Sequence, residues 1–232
     1  AGLRAMSESA IYTEADGIVR MPERASFERE GMKASAEGSE YYRGDDLLQL
    51  AGSANVTLLS EGIQTVIISN SATLAQTEGY MTFEGGVGIT REGREMEAQR
   101  AHLVLSEGTS ELESLTLEGE ARIINSDIES EHFRSMTAPE INVAYGTDGQ
   151  WIERVSLRGG ALIQGARESF GNFREMAADE IDVRYHETGR RIENVGLLGA
   201  ARILGGNTNP GQFREMNSAE ITLRYNQVRD QI

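Results

Sequence analysis

The chain has 232 residues, 39% of them hydrophobic but only 6% aromatic, with no cysteine and a formal net charge of −15. Length and apolar content allow one continuous core, while the missing cysteine excludes a disulfide framework and cysteine-held metal sites. The acidic balance argues against a nucleic-acid partner, whose binder carries a basic footprint, and no apolar run of about 18 residues is present to form a membrane helix.

In chain order, apolar residues on alternate positions first appear in VRMPERASFE (19–28), then in LLQLAGSANVTL (47–58), IISNSATLAQ (67–76), YMTFEGGVGI (80–89) and MEAQRAHLVL (96–105). A period of two means strand. From SLTLEGEARII (114–124) onward the text repeats itself: FRSMTAPEINVAY (133–145), VSLRGGALIQ (155–164), FREMAADEIDVRY (173–185), VGLLGAARIL (195–204) and FREMNSAEITLRY (213–225). Phe133, Phe173 and Phe213 are one position of the repeat, and Met136, Met176 and Met216 another. The intervening phrases share Gly52, Gly85, Gly119, Gly159 and Gly199, with Glu23 in that place in the first copy, at steps of 29, 33, 34, 40 and 40 residues. Self-similarity of this kind marks a repeat architecture. About six copies fill residues 1–232 as a single domain, most clearly at 112–149, 152–189 and 192–228.

The links are short and polar: EADG at 14–17, SEG at 60–62, TEG at 77–79, SEG at 106–108, TDG at 147–149 and ETG at 187–189. Such links make hairpins, whereas a parallel crossover takes about a dozen residues. The expectation is an all-β antiparallel meander of about a dozen strands, each near ten residues and so longer than the usual five or six. Residues 96–104 and 171–180 contain helix formers but lack apolar spacing of three and four, so no helix is expected there. In the FREM blocks Met176 and Ala178 share a face that Ile181, Val183 and Tyr185 regain only across an extra residue, which predicts a bulge. Bends at equivalent glycines and bulges crease the sheet into two walls joined along one side.

The inward candidates are Leu115, Leu117, Ala121, Ile123, Met136, Ile141 and Val143 in one repeat. Leu157, Ile163, Met176, Ile181, Val183, Leu197, Ile203, Met216, Ile221 and Leu223 are their counterparts in the next two. An interior of aliphatic and thioether side chains suits alkyl chains, and it equally suits a closed core. Arginine outnumbers lysine, of which Lys33 is the sole example, and Arg134, Arg174 and Arg214 recur beside the Phe of each block. Guanidinium pairs with phosphate, which makes these three phosphate-contact candidates, although Glu175, Glu180, Glu215 and Glu220 offer cross-strand partners. No catalytic residue, metal or cofactor is expected. His102, His132 and His186 lack metal-ligand spacing, Asp45 and Asp46 read as a turn, and GGVG at 85–88 lies inside a strand phrase.

The rhythm of GYMTFEGGVGITREGREMEAQRAHLVLSEG followed by SLTLEGEARI resembles the OstA-like repeats of the periplasmic lipopolysaccharide-transport proteins LptA and LptC. The opening, AIYTEADGIVRMPERASFEREGMKASAEGSEYYRGDDLLQLAGSANVTL, is more similar to the LptC branch. The resemblance implies an open β-jellyroll, or β-taco, that binds lipopolysaccharide or a related lipid in its groove and moves it between inner and outer membrane. It also implies a periplasmic location, with membrane contact through partners or through an N-terminal anchor that this chain does not contain. From the residues themselves, a meander leaves unpaired edges near Ala5–Tyr12 and Glu220–Tyr225, neither protected by proline. Edge-to-edge association with itself or with other jellyroll transport proteins is therefore expected. The competing expectation is a structural or adhesive β-solenoid with a closed, dry core.

Overall fold

The computed structural model describes residues 2–60, 62–106, 111–125, 133–147, 149–166, 173–186, 191–205 and 214–225, and these contain strands and turns but no helix. Three pairs of short strands come first: β1 (Arg4–Ser7) and β2 (Ile11–Thr13), β3 (Ile18–Met21) and β4 (Ala25–Arg29), β5 (Met32–Ala36) and β6 (Gly38–Tyr42). Long strands follow: β7 (Leu47–Ser60), β8 (Ile63–Ala75), β9 (Tyr80–Arg91), β10 (Arg94–Leu105) and β11 (Leu112–Asn125). The series ends with β12 (Phe133–Tyr145), β13 (Ile152–Gly165), β14 (Phe173–Tyr185), β15 (Ile192–Gly205) and β16 (Glu215–Arg224). All pair antiparallel in one open sheet, as the alternation and short links predict. The regions 96–104 and 173–180, rich in helix formers, are strand.

β7 explains the short pairs. Its first half pairs with β6, Leu50 opposite Ser39, and its second half with β5, Val56 opposite Ala34. From there the sheet runs on as two branches, β6-β3-β2 and β5-β4-β1. Each short pair is thus one long strand interrupted midway, at Glu37 between β5 and β6 and at 22–24 between β3 and β4. Pro22 has no backbone N–H for a ladder, which suits it to such a break. Counted this way, the sixteen strands are thirteen bent ones, each crossing from one wall to the other.

The crossing is built from paired left-handed residues. Gly199 and Ala200 have φ of 75° and 46°, and Gly159 and Gly160 have 86° and 101°. Equivalent pairs begin at Gly52, Gly85 and Gly119. Arg158 and Ala161 face Glu180 and Ala178, so Gly159 and Gly160 together oppose the single residue Asp179. This corrects one expectation: the extra residue at the crease belongs to the glycine strand, not to the FREM strand. The FREM strand supplies the break in parity, with Asp179 and Glu180 both exposed between buried Ala178 and Ile181. A bulge does occur in the FREM blocks, but at their start, where Arg174 is inserted between Phe173 opposite Gly205 and Glu175 opposite Leu204. Arg134 repeats it between Phe133 and Ser135.

The core that results is one apolar cluster running from Met21 to Leu223 between the walls. The first glycine of each crease pair is crowded, and a Cβ on Gly199 would stand 2.8 Å from Cβ of Asp179, whereas the second-position Gly86 and Gly160 face open space. Gly196, three residues earlier, has open space around that position and no left-handed φ. Gly199→Val is therefore expected to lower stability by about 2 kcal/mol or more through backbone strain and overlap. Gly196→Ala is expected to stay within about 0.5 kcal/mol of the parent. Urea midpoints of the two variants check the contrast, and equal midpoints would contradict the crease geometry.

Candidate functional site

The interior is organised as three cross-strand ladders. The first joins Leu117, Ile141, Leu157, Ile181, Leu197 and Ile221 across β11 to β16. A second, two residues nearer the strand ends, joins Leu115, Val143, Val155, Val183, Val195 and Leu223. On the other wall a third joins Ile123, Met136, Ile163, Met176, Ile203 and Met216. These ladders contain every inward candidate of the sequence reading except Ala121, which is opposite Ala138, and they add Val155 and Val195, which share the same alternation. Earlier strands continue them: Ile123 is opposite Met96, Met96 opposite Ile89, and Ile89 opposite Ile67.

From β11 to β15 the ladder residues are all 6% exposed or less, and many are fully enclosed. Of the ladder residues only Met216 and Ile221 are half-buried, on β16, which among the described residues is paired on one side alone. The opposite end is edged by β1 and β2, each likewise paired on one side, with Met6 71% exposed.

Away from the crease the strand ends lie in two rows, one including Arg29, Met32, Ser60, Ile63, Arg91 and Arg94, the other including Tyr42, Leu47, Ala75, Tyr80, Tyr145 and Ile152. Polar bridges span the mouth between these rows. Near the N-terminus the Arg29 guanidinium donates to both carboxylate oxygens of Asp46 at 2.9 and 2.7 Å, and Tyr41 Oη donates to the same group at 2.8 Å. The paired guanidinium, helped by that hydroxyl, holds the Asp46 carboxyl below its usual range despite partial burial. Further along, Arg91 donates from Nη2 to the Gly149 carbonyl at 2.7 Å and from Nη1 to Thr65 Oγ1 at 2.8 Å. Aromatic rings occupy the same rims: Phe133 and Phe173, with centroids 6.0 Å apart, on one, and Tyr145, Tyr185 and Tyr225 on the other. The sequence reading took Asp46 for a turn residue and did not single out Arg91; neither has a repeat or spacing to mark it.

The phosphate-contact candidates Arg134, Arg174 and Arg214 are exposed on the outside. Of the glutamates offered as their partners, Glu215 pairs instead with Arg202 at 2.9 Å; elsewhere on the outside Glu140 lies 3.7 Å from Arg158. The strongest outer cluster is Arg154 with Asp182, at 2.8 and 2.9 Å, with Ser156 Oγ donating to that carboxylate at 2.6 Å. Such exposed pairs are screened by solvent and contribute little to stability. His102 lies outside as well, 3.2 Å from Thr82 Oγ1 and stacked near Tyr80, which is a cross-strand role. His132 and Phe213 fall outside the described residues, as do parts of the links near 61, 107, 148 and 187.

The tyrosine rim carries a pH signature. Burial pushes the hydroxyls of Tyr185 and Tyr225 up to about 12, for Tyr185 against the opposing pull of Arg94. An unfolded tyrosine ionises near 10, so above that pH the unfolded chain releases its protons first. Stability from this rim is full below pH of about 10 and is lost as pH rises through about 12. A phenolate absorbance titration is expected to separate late-ionising groups from the other tyrosines, and a single step near 10 for all seven would contradict the packing of this rim.

No family model matches the chain, and no curated protein matches it. Solved structures do, among them LptH from Pseudomonas aeruginosa, described as the LptA-homologous periplasmic component of the conserved lipopolysaccharide transport device. That likeness has a TM-score of 0.42 at 11% identity and covers 44% of this chain and 74% of the other.

Proposed function

We propose that this chain holds the acyl chains of lipopolysaccharide between its two walls and, joined edge to edge with further sheets, carries the lipid across the periplasm from inner to outer membrane. The observation that carries the reading is the interior: three aliphatic ladders extend without interruption to β16, a strand with a free edge and half-buried Met216 and Ile221. Alkyl chains need no hydrogen-bond partner, so an apolar slot that ends at an open edge suits them. Strand addition at β16, or at β1 and β2, continues both walls into a neighbour and lengthens the slot with them. The choice of lipopolysaccharide and of the periplasm rests on the resemblance of the repeat to the OstA-like proteins. Binding requires the rims to part, because the central ladder residues are enclosed.

That enclosure favours a second reading, a structural solenoid whose interior stays dry. A photo-crosslinking residue at Ile181 separates the two. Under the carrier reading it captures lipopolysaccharide, and Val183→Asp abolishes capture in a variant that keeps its fold, since a charge in an apolar slot is costly. Capture by neither Ile181 nor Leu157 in folded protein selects the dry solenoid.

The edge is tested separately. Leu223→Pro removes a backbone donor from β16 and distorts the strand. Sizing and crosslinking are expected to show loss of assembly with itself or with jellyroll partners. An unchanged assembly would remove the mechanical basis of the bridge.

A further inference from the structure

Among the described residues Arg91 is the one charged side chain that is buried, at 5% exposure. Its surroundings are unusual for a buried cation. Both terminal nitrogens donate to neutral oxygens, those of Thr65 and Gly149. The nearest carboxylate among the described residues, Glu92, stands 3.9 Å from Nε, beyond hydrogen-bond length, and also faces Arg94 at 3.7 Å. Nε–H has no acceptor. Tyr145 lies beside it, its ring centroid 5.2 Å from Cζ, and the Tyr145 hydroxyl is likewise buried without a partner.

Arg29 shows what the same mouth does with a cation that is meant to be neutralised: a two-pronged pair with Asp46. Among the described residues no carboxylate stands against Arg91 at hydrogen-bond distance, although the chain has 37 acidic residues. Burying a charge without a bonded counter-ion is costly, and an anion from outside relieves that cost. Guanidinium offers phosphate parallel, charge-assisted hydrogen bonds that a neutral carbonyl cannot match. The two unused donors at this point, Arg91 Nε–H and Tyr145 Oη–H, are the groups that a phosphate oxygen accepts.

We propose that Arg91, with Tyr145 beside it, is the receptor for the phosphate group of an amphiphile whose alkyl chains lie between the walls. The proposal rests on the lipid reading above and adds to it the place and chemistry of the headgroup. The position agrees with that division of labour: Tyr145 ends β12, two residues beyond the ladder residue Val143, at the rim where an acyl chain inside the slot leaves its polar end. It also differs from the arginines of the FREM blocks, which stand on the outside.

The chain reports on the site itself. Trp151, its only tryptophan, packs on Gly146 in the same hairpin as Gly149. Titration of Trp151 fluorescence with dodecyl phosphate and with dodecyl maltoside, both below their micelle concentrations, compares an anionic with an uncharged headgroup on one alkyl chain. The wild type is expected to bind the phosphate at least about tenfold more tightly, the size of effect that charged hydrogen bonds give, although the net charge of −15 opposes any anion. Arg91→Met removes the preference and leaves dodecyl maltoside binding in place, while Arg174→Met changes neither. Circular dichroism and thermal midpoint establish that each variant is folded. Should Arg91→Met fail that check, Tyr145→Phe and Arg91→Lys decide: a reduced preference in both supports the site, and an unchanged preference in both overturns it. Equal wild-type affinity for the two amphiphiles overturns the phosphate receptor while leaving the lipid reading intact. Binding of neither overturns both.

Discussion

Everything in this molecule depends on each strand turning a corner at the same height. A flat meander of thirteen strands would present one broad apolar face to water, and the described residues contain no second layer to cover it. Folding the sheet on itself solves the problem with a single element type. The cost is local: two consecutive left-handed residues in each glycine strand and two consecutive outward residues in each partner, as at Gly159, Gly160, Asp179 and Glu180. Because the glycine and the residue opposite it approach so closely, a bend in one strand constrains the next. The crease thus propagates from neighbour to neighbour along the sheet.

Strands, direction and inward faces were legible because burial on one face forces a period of two, and the repeat displays that period several times over. The ladder residues followed directly, Ile181 and Leu197 being read from the same alternation that pairs them. The location of the extra residue was not legible. A parity break in FREMAADEIDVRY shows that the two walls are out of phase, but which of two paired strands carries the surplus residue depends on register, and register is a relation between segments. The bridges across the mouth were hidden for a related reason. Arg29 and Asp46, or Arg91 and Gly149, become neighbours only after the sheet has folded over, and they occur once each, outside the rhythm that makes the rest readable.

The two sides of the sandwich are consequently closed by different physics. Along the crease the backbone itself is continuous, so separation there means breaking the chain or its ladder. Along the mouth closure rests on side chains, a few guanidinium bridges and two rows of aromatic rings, each of which exchanges partners at modest cost. Opening is therefore confined to one side, and its resistance varies along the length with the bridges that happen to be present.

The branch point at β7 has a consequence for size. Beyond it, each added hairpin lengthens the folded sheet without altering its cross-section, because every bent strand crosses the crease in the same manner. With neighbouring strands about 4.8 Å apart, thirteen of them span roughly 58 Å, and one forty-residue repeat is worth close to 10 Å. Whole repeats are units of measure: deleting or duplicating one, as between Phe133 and Phe173, would shorten or extend the molecule in steps of that size while the remaining strands re-pair in register. The chain is a ruler whose length is written in copy number.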